Sequence, residues 1–250
     1  MELGKYGIFL FTDTLSPDYL AECARRVEEL GYSTLWYPEA FNFEPMALGG
    51  FLLGHTEKLI VASGIANIYA RDAAASVMGH NTLNTLYGGR FILGLGVSHA
   101  PLVSDVRGHE YSNKPVATMR AYLDSMDQAW EAFGGAPAEK QVILAALGPN
   151  MLKLAGERSL GALPANVTPR HAAIARQHVG ADSLVCSYQS VCLTTDPEVA
   201  RAIARAAMGI YMTLPNYMNN WKRLGFDESD WADGGSDRLM DAMVNWGTLD

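Results

Sequence analysis

The sequence predicts a parallel α/β fold in its closed, barrel form. Three observations predict it. Short apolar runs of β character alternate with helical segments along the whole chain. Four helical segments open on a cap-like residue and then proline: Ser16-Pro17, Gly148-Pro149, Thr168-Pro169 and Asp196-Pro197. The length, 250 residues, is that of one such barrel, and an apolar share of 49% is enough for its core. An open doubly wound sheet is the alternative architecture.

Taken in order, the first strand is the apolar run Gly7–Phe11. Ser16 caps a helix with Leu20, Ala24, Val27 and Leu30 at helical spacing, and Gly31 ends it. The second strand, Thr34–Tyr37, ends at Pro38-Glu39. A helix over Met46–Leu53 follows, in spite of Gly49 and Gly50. The third strand is Leu59–Ile65. Asp72 then caps a helix through Leu86, which stops at Gly88-Gly89. The fourth strand lies in Gly89–Pro101, where an apolar run carries Gly94 and Gly96 and leads to Ser98 and His99. A strand that ends on glycines lets another molecule approach its backbone.

An irregular stretch from His99 to about Asn113 leads to a long helix, Pro115–Phe133. The fifth strand is Gln141–Ala146, and Gly148-Pro149 opens the next helix. The sixth, Gly161–Pro164, is short, and Thr168 caps the helix after it. The seventh is Ser183–Leu193, followed by a helix from Asp196 to about Tyr211. Asn216–Gly225 and Ser236–Trp246 read as extra helical material, with their Met, Trp and Tyr residues used in packing. Seven strands are thus expected in a single domain over residues 1–250, with the eighth β/α unit missing or outside this chain.

Composition narrows the function. A formal charge of −8 and a pI near 5.2 disfavour binding to nucleic acid or anionic membranes. Cys23, Cys186 and Cys192 make an odd set without metal-ligand spacing, which fits a reducing compartment. Cys186 and Cys192, six residues apart in one predicted strand, would lie roughly 20 Å apart, too far for a disulfide. No signal-peptide pattern opens the chain, and no apolar stretch reaches about 18 residues. A cytoplasmic protein is the expectation.

Four stretches carry a family resemblance: Gly31–Glu39, Val61–Ile68, Gly89–Ser98 and Ala145–Pro149. In this order and spacing they resemble the bacterial luciferase-like superfamily of flavin and deazaflavin oxidoreductases. Leu214–Tyr217 and Gly234–Leu239 resemble its coenzyme F420-dependent subgroup. The resemblance implies a TIM (β/α)8 barrel with the ring of F420, or alternatively FMN, at its C-terminal mouth. It implies a bulge with a non-prolyl cis peptide after the third strand, here the Gly64–Ile65 bond. It also implies cofactor contacts from Ser63, Gly64, Ile65, Asn67, Gly96, Val97 and Ser98, and a homodimer formed through the early helices.

Strand ends at the C-terminal face of a barrel build its active site. Glu39 and His99 end the second and fourth strands and are the acid/base candidates. Arg90, at the opposite end of the fourth strand, reads as a stability residue. His109 and Tyr111 lie in the following loop and are candidates for substrate binding. Gly148 opens a helix whose N–H groups offer a place for the cofactor phosphate. His80, His171 and His178 fall within helices and read as structural. No metal site, nucleophile elbow or dinucleotide fingerprint is present.

Sugar-phosphate and alcohol dehydrogenases of the superfamily carry His at the end of the second strand, Trp four residues later, and Glu after the fourth. This chain has Glu39, Phe43 and His99 there, so those substrates are not implied. Three functions are weighed. One is F420-dependent hydride transfer with a small organic substrate. The second is a monooxygenase using reduced FMN and oxygen. The third is a non-catalytic barrel that serves as a binding module.

Overall fold

The computed structural model describes residues 3–135, 137 and 139–248. Packing divides the chain into two compact units, Met1–Ala145 with Arg158–Gly161, and Ala146–Glu157 with Ala162–Asp250.

The first unit runs β1 (Gly7–Phe9), α1 (Pro17–Glu29), β2 (Thr34–Tyr37), α2 (Pro45–Gly54), β3 (Ile60–Ser63), β4 (Ala66–Asn67), α3 (Ala73–Leu86), β5 (Phe91–Gly96), α4 (Pro115–Ala132) and β6 (Val142–Ala145). A π-helical turn, Pro101–Val106, stands between β5 and α4, in the stretch expected to be irregular. The strands pair in parallel in chain order, β1-β2-β3-β5-β6, with β4 also on β5. Residues of β2, β3 and β5 are buried throughout, so these strands read as continuous apolar runs rather than alternating ones. Helix α1 buries the stripe Leu20, Ala21, Ala24 and Val27, and Ser16 Oγ caps it by accepting the Tyr19 N–H at 3.3 Å. Burial of a side chain such as Leu20 contributes about 2 kcal/mol.

The N-terminal ends of these strands are tied by two charged side chains. Glu28 accepts the N–H groups of Glu57, Lys58 and Leu59 at 3.1, 2.7 and 2.7 Å. Arg90 donates to the carbonyls of Leu53, Thr56 and Leu59, the structural role expected of it.

The third strand ends at Ser63, and the bulge that the family resemblance implied follows it. Ala62 pairs with Ile92, but Ala66 pairs with Leu95: four steps on one strand against three on its neighbour. Residues 63–65 therefore hold one extra residue, a β-bulge, and the Gly64–Ile65 peptide within it is cis.

The second unit contains α5 (Pro149–Arg158), β7 (Gly161–Leu163), α6 (Pro169–Val179), β8 (Leu184–Val185), β9 (Ser190–Leu193), α7 (Pro197–Met208), α8 (Pro215–Leu224), α9 (Glu228–Trp231), α10 (Asp237–Met243) and β10 (Val244–Gly247). Met208, Met212, Tyr217, Trp221, Met240 and Met243 lie at the centre of its core, as helix packing predicts. Two expectations need correction. The single strand Ser183–Leu193 is two strands, because the polar stretch Ser187–Gln189 interrupts it: β8 neighbours β7, whereas β9 pairs in parallel with β10. The helix expected through Trp246 ends at Met243, and Trp246 lies in β10. Gln189 holds this exchange by donating its Nε2–H to the Met243 carbonyl at 2.6 Å. The motif Gly234–Leu239 is structural: Ser236 caps α10, and Arg238 pairs with Asp230.

All three cysteines are free thiols, and burial pushes the Cys186 thiol up to about 11, which makes it unreactive. Among the described residues no helix is long and apolar enough to cross a membrane.

Candidate active site

In the first unit the C-terminal ends of β2, β3–β4 and β5 come together, because parallel pairing in register aligns them. This places Glu39, the 63–65 bulge with β4, and Val97-Ser98-His99 at one edge of the sheet. The close pairing depends on two glycines. A Cβ on Gly94 would lie 1.9 Å from the Ser63 carbonyl oxygen, and one on Gly96 would lie 2.6 Å from the Ile65 side chain.

That geometry shows what surrounds two of the expected cofactor residues. The space beside Gly96 is taken by the Ile65 side chain, so its bare backbone allows the neighbouring strand to pack. Ser63 is fully buried, and its hydroxyl donates to the Gly94 carbonyl and accepts the Gly94 N–H, both at 2.9 Å. Asn67 is also buried, and its Oδ1 accepts the Tyr69 N–H at 2.9 Å. Gly64, Ile65, Val97, Ser98 and His99 are half-buried and present the accessible surface of this edge.

Ser98 has φ +56°, in the left-handed region that is costly for a side-chain-bearing residue. The chain turns there, just before His99. Burial lowers the His99 pKa, which favours a neutral imidazole near pH 7. Tyr111 is half-buried, stacks obliquely on Tyr69 at 5.7 Å between centroids, and donates its O–H to the Ser98 carbonyl at 3.4 Å. His109 is exposed.

Glu39 has partners absent from the sequence reading. Arg71 binds it with both terminal nitrogens, Nη1 to Oε2 at 2.8 Å and Nη2 to Oε1 at 3.0 Å. Arg107, beyond the π-helical turn, adds a bond to Oε1 at 2.9 Å. The signal for both was available in principle: a carboxylate buried at a strand end needs a cation, and each arginine lies in a βα loop of the next strands. A cavity of about 210 Å³ is lined by Glu39, Phe41, Phe43, Glu44, Arg71 and Arg107. Pockets that enclose a whole ligand start near about 300 Å³, so this cavity alone is too small for a tricyclic cofactor.

Gly148 lies in the second unit, at the start of α5. The Arg223 guanidinium stands 3.6 Å from where its Cβ would be, and His171 donates its Nε2–H to the adjacent Leu147 carbonyl at 2.9 Å. Backbone N–H groups at a helix start beside an arginine can receive an anion.

The model of the luciferase-like monooxygenase family matches residues 4–248. The chain belongs to that family. A protein of Mycobacterium tuberculosis named as a coenzyme F420-dependent oxidoreductase is 28% identical over 85% of this chain and 74% of its own. The 5,10-methylenetetrahydromethanopterin reductase of Methanolobus tindarius is 26% identical over 92% of this chain and 83% of its own. Among solved structures, the coenzyme F420-dependent tetrahydromethanopterin reductase of Methanopyrus kandleri aligns with a TM-score of 0.75 at 20% identity, over 96% of this chain and 85% of that one. The oxygenating constituent of 3,6-diketocamphane monooxygenase from Pseudomonas putida, in complex with FMN, aligns at 0.68 and 15% identity, over 95% of this chain and 83% of that one. The luciferase-like α/β barrel fold expected from the sequence is thereby shown.

Proposed function

We propose that this chain is an oxidoreductase that uses a deazaflavin of the F420 type to move hydride to or from a small organic substrate. The observation that carries the reading is the adjacency of two strand ends, the Gly64–Ile65 bulge and the His99-bearing end of β5, in a chain with a relative named as coenzyme F420-dependent. The residues fit such a group. Half-buried backbone and the Ile65 side chain make an apolar surface for a flat ring, flanked by Val97 and Ser98.

The bound cofactor supplies the two-electron carrier, and the protein supplies position and proton handling. His99 carries the proton step. Its imidazole is held neutral by burial, so it can accept a proton from a substrate being oxidised and return it in the reverse direction. Tyr111, tethered to Ser98, forms the side against which a substrate rests, and His109 stays exposed at the rim.

Fluorescence titration with F420 and with FMN tests the reading. Quenching by F420 at micromolar or lower concentration is expected. His99→Asn should then lower kcat about 100-fold while leaving F420 affinity nearly unchanged. Tight FMN binding with no F420 binding would instead support the second reading, a monooxygenase using reduced FMN and oxygen, which the likeness to the FMN-bound structure favours. Absence of binding by either cofactor would leave the non-catalytic barrel.

A further inference from the structure

We propose that Glu39 is a positioning residue that fixes the 63–65 bulge and the β4 strand after it together with Arg71, and that it exchanges no proton with a substrate. The proposal rests on the reading of the bulge as the cofactor's seat.

Glu39 grips this segment at two points. Its backbone N–H donates to the Ile65 carbonyl at 3.3 Å. Its Oε2 accepts the Asn67 N–H at 2.7 Å. Arg71 completes the hold, since Nη1 also donates to the Asn67 carbonyl at 3.1 Å. Asn67 is thus fixed at its N–H by the Glu39 carboxylate and at its carbonyl by the Arg71 guanidinium. Arg71 is itself braced by Glu44 at 3.2 Å.

The carboxylate has no site left for a proton. An ionised carboxylate offers about four acceptor positions. Oε2 takes Asn67 N–H and Arg71 Nη1, and Oε1 takes Arg71 Nη2 and Arg107 Nη2. The side chains of Glu39 and Arg71 are only 5% and 10% exposed, so the paired charges are screened weakly by water. Replacing the carboxylate by a neutral amide would remove a charge-assisted bond and leave a desolvated guanidinium short of a partner. A carboxylate so held suits orientation of its neighbours, not proton transfer.

Three variants and three measurements test this. Glu39→Gln keeps an oxygen but loses the charge, Arg71→Met removes the fork, and Arg71→Lys keeps the charge without bidentate geometry. Hydrogen exchange at the Asn67 amide, read in the cofactor-free protein, should speed up by about tenfold or more in Glu39→Gln and Arg71→Met. Arg71→Lys should fall between these and the parent, and it replaces Arg71→Met should that variant not fold. F420 affinity should weaken in the same order, and the pH profile of kcat should keep its shape in every variant. The proposal is overturned if Glu39→Gln erases one limb of that profile while exchange and affinity stay at parental values. It is also overturned if the Arg71 variants leave Asn67 exchange unchanged. Because exchange is read without cofactor, failure of F420 to bind would count against the proposed function and not against the positioning role.

Discussion

Two glycines of one strand carry different loads. Gly94 faces the Ser63 backbone, which cannot yield without breaking the β3–β5 pairing, whereas Gly96 faces the flexible end of Ile65. A methyl group on Gly94 is therefore an overpacking error in the centre of a sheet, expected to cost about 3 kcal/mol or more. On Gly96 it should cost about 1 kcal/mol, because Ile65 can adopt another rotamer, but it should displace the surface proposed to seat the cofactor. Urea unfolding of Gly94→Ala and Gly96→Ala, with F420 titration of each, separates the two effects. Equal losses of stability would contradict the assignment. At the same scale, the two proposals divide the acid/base pair read from Glu39 and His99 into a proton carrier and a positioning residue, since four donors already meet the Glu39 carboxylate.

Elements are held at the N-terminal end of the sheet by caps that reach across the chain. The carboxylate of Glu28, in the last turn of α1, satisfies three consecutive N–H groups leading into β3. Burial works to raise its pKa, but those N–H groups and the Arg90 charge outweigh it, and the net shift is downward. A carboxyl with a depressed folded pKa stabilises above its unfolded value, and that stability is lost as pH falls through the folded value. Glu28→Ala should lose about 1–2 kcal/mol at neutral pH, and the difference from the parent should shrink below about pH 4. Urea midpoints at the two pH values check this, and a gap that stays constant would refute it. Most of the elements were legible in the sequence because caps such as Ser16, Asp72, Thr168 and Asp196 are local signals. The split of β8 from β9 was not, since the partner that decides it, β10, lies some fifty residues away. In the site, Gly64 and His99 were legible as strand ends. Arg71 and Arg107 were not, because their role follows from a carboxylate in another strand. The packing of Ile65 against Gly96 was hidden for the same reason: sequence shows that a backbone is bare, not what approaches it.

Across the molecule, each unit buries a histidine whose neutral form is fixed by its partners. Trp130 donates its indole N–H to Asn81 Oδ1 at 3.1 Å, which identifies that atom as the acceptor for His80 Nδ1–H at 3.2 Å. His80 Nε2 is then buried without a partner, as is His171 Nδ1, whose ring proton goes to the Leu147 carbonyl from Nε2. Adding a proton to either ring would bury a cation with an N–H that no acceptor meets. Burial lowers both pKa values, and for His171 the nearby Arg223 charge acts in the same direction. The unfolded chain, with ordinary imidazoles, takes up these protons first as pH falls below about 6.5. Stability should therefore be full above that value and decline through the window between the ordinary and the lowered pKa, before carboxylates begin to titrate. Urea midpoints should drop as pH falls from about 6.5 to about 5.5, and His80→Gln should flatten part of the slope, since an amide there carries no titrating proton. A parent midpoint that stays level over that range would mean that the two rings gain acceptors on protonation, which their buried, unpartnered nitrogens argue against.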